Sequence, residues 1–305
     1  MKPAPVAYAR PTSLTEALEL LAGTPDAKVL AGGQSLVPLL NMRLAAPTLL
    51  VDINRLPGLD HVMAAPDGVH VGALARHSAV LADAAARRTQ PLLADALSHV
   101  AHATIRNRGT TVGSIVHADA AAEMPAVLAV LDGHVEVASV RGRRRIEARD
   151  LVVGPLQSSL EHDEVALEAC FPALDARAGT AFTEISRRQG DYALCGVAAV
   201  VMLDEDGAVA SARCGYLAVH ETPAVVDLPA LVGARGPLGD DVVTAASDLA
   251  LGVLDVEGDI HGTAAYRRHL VRVLTARALR TAYDDAATRT TTRTTAPTPT
   301  TGGTA

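Results

Sequence analysis

Residues 28–53, KVLAGGQSLVPLLNMRLAAPTLLVDI, carry the reading on which the rest of the chain depends. Val29 to Ala31 is a short apolar run that ends in a turn, the pattern of a buried strand. Gly32 and Gly33 allow a tight turn and let the backbone come close to a ligand. Ser35 is placed to cap a helix, and Pro38 lies in its first turn, where a missing N–H costs nothing. Leu36, Leu39, Leu40 and Leu44 recur three or four residues apart on one helical face. Leu49 to Ile53 is a second apolar run, so the unit reads strand, Gly-rich turn, helix, strand, with the strands parallel. Such a turn directs Ala31, Gly32, Gly33, Gln34, Ser35 and Leu36 along the positive end of a helix, which suits a phosphate. Taken alone, the same pattern more often marks a plain strand-to-helix junction that binds nothing. It is no Walker loop, which needs Gly-Lys-Ser/Thr, and it lacks the Gly-x-Gly-x-x-Gly of a dinucleotide fold.

The 305 residues imply two domains, and 49% hydrophobic content is ample for sizeable cores. A formal charge of -7 excludes the basic face of a nucleic-acid binder. The three cysteines, Cys170, Cys195 and Cys214, form no Cys-x-x-Cys pair, so neither a disulfide framework nor a zinc or iron–sulfur site is expected. Residues 1–10 do not read as a signal peptide, and no run approaches the roughly 20 apolar residues of a membrane span. A soluble, cytoplasmic protein is expected. Aromatic residues make up 2% of the chain, which draws attention to any tyrosine set in a loop.

Along the chain, Ser13 and Glu16 open a helix over 13–21 in the manner of a capping box. Residues 59–73 alternate around Pro66-Asp67-Gly68 and read as a hairpin. Helices are expected over 77–88 and 91–105, the second carrying His99 and His102 three positions apart. A metal on that pair lacks a third ligand. The second loop of interest spans 106–123, RNRGTTVGSIVHADAAAE. Thr110, Thr111, Gly113 and Ser114 offer hydroxyls and open amides dense enough to hold a pyrophosphate without a lysine. Asp119 and Glu123 can accept from sugar or ribityl hydroxyls. The competing reading is a polar loop with Asp119 as a helix cap. A hairpin over 134–148 carries Arg141, Arg143, Arg144 and Arg145 on its exposed face, and 151–173 reads as irregular. Beyond a boundary near Ala176, strands are expected over 181–186, 195–203 and 209–219, with helices over 240–254 and 263–283. From Ala286 onward Thr, Pro, Gly and Arg dominate, the composition of a disordered tail.

The two Gly-rich stretches do not stand alone. AGGQSLVPLLNMRLA with VDI, the 106–123 loop, RRQGDYALCGVAAV (187–200) and AYRRHLVRVLTARAL (265–279) occur in order. Together they closely resemble the medium, FAD-binding subunit of the molybdenum hydroxylases, the family of carbon monoxide, xanthine and nicotine dehydrogenases. The resemblance covers nearly everything before the tail. It implies an α+β chain: a two-part PCMH-type FAD domain over 1–176, with a small parallel sheet and a mainly antiparallel one. A C-terminal domain over 177–285 would follow, a three-stranded antiparallel sheet with a helical bundle, and then the tail over 286–305. By similarity, Ala31 to Ser35 and Thr110 to Ser114 would hold the FAD pyrophosphate. Asp119 and Glu123 would contact the ribityl or ribose region, and Leu40 and Tyr192 would lie near the isoalloxazine. Val112 stands where the family usually has glycine, and Ala120 where proline is frequent.

The resemblance further implies an electron-transfer subunit working with an iron–sulfur small subunit and a molybdopterin-binding large subunit, as a dimer of heterotrimers. No acid–base or nucleophile constellation is visible, and such a role requires none. A stand-alone flavoenzyme of the same fold would need a proton-donating motif in the C-terminal half, and none is found. A flavin-free scaffold subunit is the non-enzyme alternative.

Overall fold

The computed structural model describes residues 2–294. The first layer comprises β1 (Ala7–Ala9), α1 (Leu14–Ala22), β2 (Ala27–Leu30), α2 (Leu36–Met42) and β3 (Leu49–Asp52). Its sheet is parallel and ordered β1-β3-β2, with Val29 and Ala9 on either side of Val51. The strand–turn–helix–strand unit is therefore present, and β1 adds a strand that the sequence did not announce. In α1 the Ser13 hydroxyl accepts from the Glu16 N–H at 3.2 Å, while the Glu16 carboxylate takes the N–H of Thr12 at 2.9 Å, one residue early for a capping box. α2 departs from expectation. Ser35 makes no side-chain capping bond, Leu40 is the buried residue of the helix, and Leu44 is 72% exposed. Seven residues give the helix too little length to turn four leucines inward.

The second layer begins with the hairpin β4 (Val62–Ala65) and β5 (Gly68–Gly72). Six short helices follow: α3 (His77–Ala82), α4 (Ala84–Thr89), α5 (Pro91–His99), α6 (Ala103–Arg106), α7 (Thr111–His117) and α8 (Glu123–Val130). Then come β6 (His134–Ser139), β7 (Gly142–Glu147), α9 (Ala148–Leu151), the ribbon β8 (Val152–Gly154) and β9 (Gln157–Ser158), and β10 (Val165–Pro172). β4-β5-β10-β6-β7 make a five-stranded antiparallel sheet. Two expected helices are thus four. The Asp83 side chain caps a new one by accepting the Ala86 N–H at 2.8 Å, and Ala101 at φ 43 stops the chain from extending α5. The stretch read as irregular contains β10, the central strand, because Glu168 interrupts an otherwise apolar run on the open face of the sheet. Leu92, Leu93 and Leu97 of α5, Val127 and Leu128 of α8, and Phe171 of β10 are all essentially buried in the core between helices and sheet.

The C-terminal half holds β11 (Ala178–Ser186), β12 (Ala193–Leu203), β13 (Val209–Leu217), β14 (Ala224–Asp227), α10 (Asp240–Val253) and α11 (Ala264–Thr294). Its antiparallel sheet has four strands, not three, since β14 extends the meander. α11 packs on β11 and β12, and Gly179 permits this. A Cβ there would lie 2.2 Å from the carbonyl oxygen of Ala282 and the amide of Ala286. Val271, Leu274, Ala278 and Leu279 face inward, whereas Val273 is 38% exposed. The disorder expected from Ala286 does not begin there. α11 continues to Thr294, with Ala286 buried and Asp285 accepting the Thr180 N–H at 3.0 Å, which ties the helix to β11. Residues 295–305 lie outside the described ones. Among the described residues no helix is long and apolar enough to cross a membrane.

Candidate functional site

The two Gly-rich stretches, some 75 residues apart in the chain, touch in the fold. A Cβ on Gly32 would lie 2.4 Å from the carbonyl oxygen of Arg108 and 2.8 Å from the Cα of Gly109, so only glycine lets the loops meet. Gly33 is left-handed at φ 71, and a Cβ there would press on Leu30 and Val37, both at 3.2 Å. Among the described residues no acceptor meets the backbone N–H groups of Gly32, Gly33, Gln34 and Ser35. The Gln34 side chain folds back, donating to the carbonyl of Gly32 at 3.2 Å, which leaves the amides open. Four such donors in one half-buried turn suit an anionic ligand.

A polar chain that the sequence reading missed holds the loops in register. Tyr8 on β1 donates to the carboxylate of Asp52, at the end of β3. Asp52 accepts the backbone N–H of Asn54 at 2.9 Å and its side-chain amide at 2.6 Å. That amide also reaches the carbonyl of Ala31 at 2.8 Å. The Asn54 side-chain oxygen takes Arg76 at 2.7 Å, and the other end of the guanidinium donates to the carbonyl of Arg108 at 2.6 Å. Burial would push the Asp52 carboxyl up, but the hydrogen bonds from Tyr8 and Asn54 outweigh it and hold it below the carboxylate range. Burial, and then the charge of Arg108, lowers the Arg76 guanidinium. No local motif flags these residues, because their partners are distant in sequence.

In the second stretch, 111–117 is helical where a loop was expected. The hydroxyl of Thr110 caps α7 by accepting the N–H of Gly113 at 3.1 Å, and a Cβ on Gly113 would lie 2.4 Å from that oxygen. The Thr111 hydroxyl is buried against Nδ1 of His77 at 3.2 Å. Burial, and then the charge of Arg106, pushes that imidazole down to about 4, so it stays neutral. Both threonine hydroxyls therefore help build the loop, and Ser114 is a half-buried hydroxyl beside them. Val112, in place of the family glycine, is 2% exposed and helical, so the backbone there needs no glycine. Arg106 donates to the carbonyls of Val100 and Ala101 at 2.7 and 2.9 Å, bracing the joint before α6.

α7 spans about 10 Å, at 1.5 Å for each of its residues. Beyond it lie Asp119 and Glu123. Asp119 does not cap α8; its carboxylate accepts the N–H of Ala121 at 2.9 Å. Tyr192 reaches over from the C-terminal half, on a loop whose Gly190 (φ 86) lies against His102, where a Cβ would meet the ring at 2.4 Å. Tyr192 is 64% exposed, with Asp119 and Glu123 close enough to act on its phenol. Partial burial, and then the charges of Asp119 and Glu123, raises the phenol. Burial, and then the charge of Glu184, lifts the Glu123 carboxyl to about 8, so it is protonated and can donate at neutral pH. Glu184 sits 3.4 Å from Nδ1 of His99, whose ring packs on Phe182 at 5.2 Å, and its other oxygen is buried without a partner. This cluster accounts for His99. Leu36 is half-buried, and Leu40 is buried outside both hydrophobic clusters.

The arrangement offers open amides at one end of α7, and a carboxylate, a protonated carboxyl and an exposed phenol ring at the other. That donor set suits an extended ligand that carries both an anionic group and several hydroxyls. The three thiols are buried, and burial pushes Cys195 and Cys214 up to about 12. The basic hairpin is largely neutralised within the chain: Arg141 pairs with Asp163, and Arg144 grips Glu164 with two bonds of 2.7 Å.

Comparison with known proteins gives a consistent picture. Residues 4–174 match the family described as FAD binding domain in molybdopterin dehydrogenase, and residues 180–282 match the CO dehydrogenase flavoprotein C-terminal domain. The alpha subunit of the 6-hydroxypseudooxynicotine dehydrogenase complex of Paenarthrobacter nicotinovorans is 41% identical, over 92% of this chain and 95% of its own. Caffeine dehydrogenase subunit beta of a Pseudomonas species is 39% identical, over 93% and 97%. Among solved structures, quinoline 2-oxidoreductase of Pseudomonas putida 86 superposes with a TM-score of 0.88 at 36% identity, covering 94% of this chain and 99% of that one. Carbon monoxide dehydrogenase of Hydrogenophaga pseudoflava gives 0.86 at 32%, covering 95% and 99%.

Proposed function

The chain belongs to the FAD-binding medium subunits of the molybdenum hydroxylases, a family of oxidoreductases with FAD as cofactor, and we propose that it serves its complex as the electron-transfer subunit. FAD, when bound, supplies the redox chemistry; this chain's residues bind it, orient it and set its surroundings. Ala31 to Ser35 and the start of α2 at Leu36 hold the pyrophosphate, chiefly through the four open amides. Ser114 adds a hydroxyl, while Thr110, Thr111 and Gly113 shape the wall that carries it. Asp119 accepts from, and protonated Glu123 donates to, the ribityl or ribose hydroxyls. Leu40 and Tyr192 flank the ring system. The observation that carries this reading is the contact of the two loops at Gly32 beside unpaired amides.

Three buried, separate thiols cannot ligate a cluster that takes four. Electrons therefore enter from an iron–sulfur small subunit, and hydroxylation belongs to a molybdopterin-binding large subunit, in a cytoplasmic dimer of heterotrimers. The FAD-binding half gives way to the C-terminal half near Ala176, between β10 and β11. The test is to purify the chain alone and co-expressed with the two partner subunits. Alone it should carry noncovalent FAD and turn over no substrate. With its partners it should form a complex whose flavin bleaches when substrate is added under anaerobic conditions. Purification without flavin, or turnover by the single chain, would overturn the proposal.

A further inference from the structure

Away from the flavin cleft, the open face of the five-stranded sheet gathers a second set of side chains. The register places His70 of β5, Cys170 of β10 and His134 of β6 in one row across adjacent strands, with Cys170 in the middle. Asp67, in the β4–β5 turn, completes the group. Gly68 brings that turn onto the sheet, since a Cβ there would lie 2.3 Å from the carbonyl oxygen of Phe171, and the N–H of Ala173 binds the carbonyl of Asp67 at 3.0 Å. Nε2 of His70 is 3.2 Å from each Asp67 oxygen and 3.9 Å from the Cys170 sulfur. One ligand atom from each of Asp67, His70 and Cys170 lies within 4.8 Å of the others. With metal–ligand bonds of about 2.0–2.3 Å, a tetrahedral zinc site separates its ligand atoms by roughly 3.3–3.8 Å. Small side-chain rotations close the difference.

The surroundings match a metal site in a way that a chance cluster need not. His70 presents Nδ1 to Glu168 at 2.8 Å, and the other Glu168 oxygen meets Nε2 of His61 at 2.7 Å. With Nδ1–H donated to Glu168, Nε2 is the nitrogen left facing Asp67 and Cys170, and the proton it gives Asp67 in the metal-free protein is the one a cation would replace. This is the carboxylate–histidine arrangement that orients metal-bound imidazoles. His134, on the far side of Cys170, has a buried Nδ1 with no hydrogen-bond partner. We infer that Asp67, His70 and Cys170 bind a zinc-type divalent cation, with the fourth position taken by water or by the imidazole of His134. Binding forms a metal–thiolate bond and releases the Cys170 thiol proton to solvent, along with any proton on Nε2 of His70; no electrons move. A thiolate, an imidazole and a carboxylate together select zinc over magnesium or calcium. The ligands His70 and Cys170 stand 100 positions apart, so no spacing motif announces them.

The test uses the full, tag-free chain with its flavin, freed of metal with a chelator. Titration with zinc against a chromophoric competitor should show one saturable equivalent with proton release. Cobalt should give the d–d absorption of a tetrahedral thiolate site in the red, where oxidised flavin is transparent. Cys170→Ser and His70→Gln should each weaken binding at least tenfold, and Glu168→Gln by roughly 10–100-fold through loss of orientation. The exposed Asp67→Asn keeps the question decidable if a buried variant fails to fold, with flavin content and circular dichroism as the folding measures. No saturable zinc uptake, octahedral cobalt spectra, or unchanged affinity in the variants would overturn the inference.

Discussion

Replacing Gly32 with alanine tests the loop contact on which the flavin site is built. The added methyl would sit 2.4 Å from the carbonyl oxygen of Arg108, about 1 Å inside ordinary contact. The obstacle is backbone, so no side chain can swing aside. Either the 31–35 turn or the 107–110 segment must withdraw, and both are pinned by the Asn54–Arg76 bridge, whose bonds run from 2.6 to 2.8 Å. Overpacking of this kind costs about 1–3 kcal/mol. The strain falls on the geometry that lines up the four open amides, so most of it should appear in binding. A loss of about 2 kcal/mol corresponds to roughly thirtyfold in Kd. The assay is flavin content after purification, followed by FAD titration of the stripped protein through quenching of flavin fluorescence. Gly252→Ala on α10 is the control, because a Cβ there meets nothing within 4 Å; helix propensity predicts unchanged affinity and a gain near 1 kcal/mol in stability. Full flavin retention by Gly32→Ala, with a Kd within twofold of the parent, would refute the close approach as the basis of the site.

Val112→Gly should lower stability by about 3 kcal/mol, from a lost buried side chain and a poorer helix former. It should change FAD affinity by less than roughly tenfold, so a large gain in affinity by titration would show that the natural loop is impaired. Tyr192→Ala should shift the bound flavin's visible spectrum or midpoint potential, and Tyr192→Phe, which keeps the ring, should shift it less; identical spectra in all three proteins would remove Tyr192 from the site. The Glu123 carboxyl rises from an ordinary 4.5 to about 8, so between those values the folded protein holds a proton that the unfolded chain has lost. Its contribution to stability is complete below pH 4.5 and drains away as pH climbs through that window, at up to about 1.4 kcal/mol per pH unit. Glu123→Gln should flatten the melting temperature of the flavin-free protein against pH in that range, and an unchanged slope would contradict the shift.

What was legible in the sequence divides along a physical line. Features whose causes are local could be read: apolar runs gave β2 and β3, Pro66-Asp67-Gly68 gave a hairpin, and Ser13 with Glu16 gave the start of α1. Both Gly-rich stretches were also visible, because a glycine marks a backbone constraint whatever lies opposite it. The partner that explains each constraint was not. Gly32 is required by Arg108, Gly68 by Phe171, and Gly179 by Ala282 and Ala286. The same limit hid β10, where Glu168 breaks the apolar pattern for the sake of His70 on the neighbouring β5 and His61 just before β4. It also hid the Tyr8–Asp52–Asn54–Arg76 chain, whose members hydrogen-bond across separate elements. Thr110 and Thr111 show the converse. Their hydroxyls suggested ligand contacts, and local geometry gives them structural partners as well, the N–H of Gly113 in α7 and His77. On the proposed reading the ligand is met mainly by backbone amides, while side chains that no local motif flags, Asn54 and Arg76 above all, hold those amides in place. Substitutions that leave the Gly-rich motifs intact but break the Asn54–Arg76 bridge should therefore damage flavin binding as a motif change does.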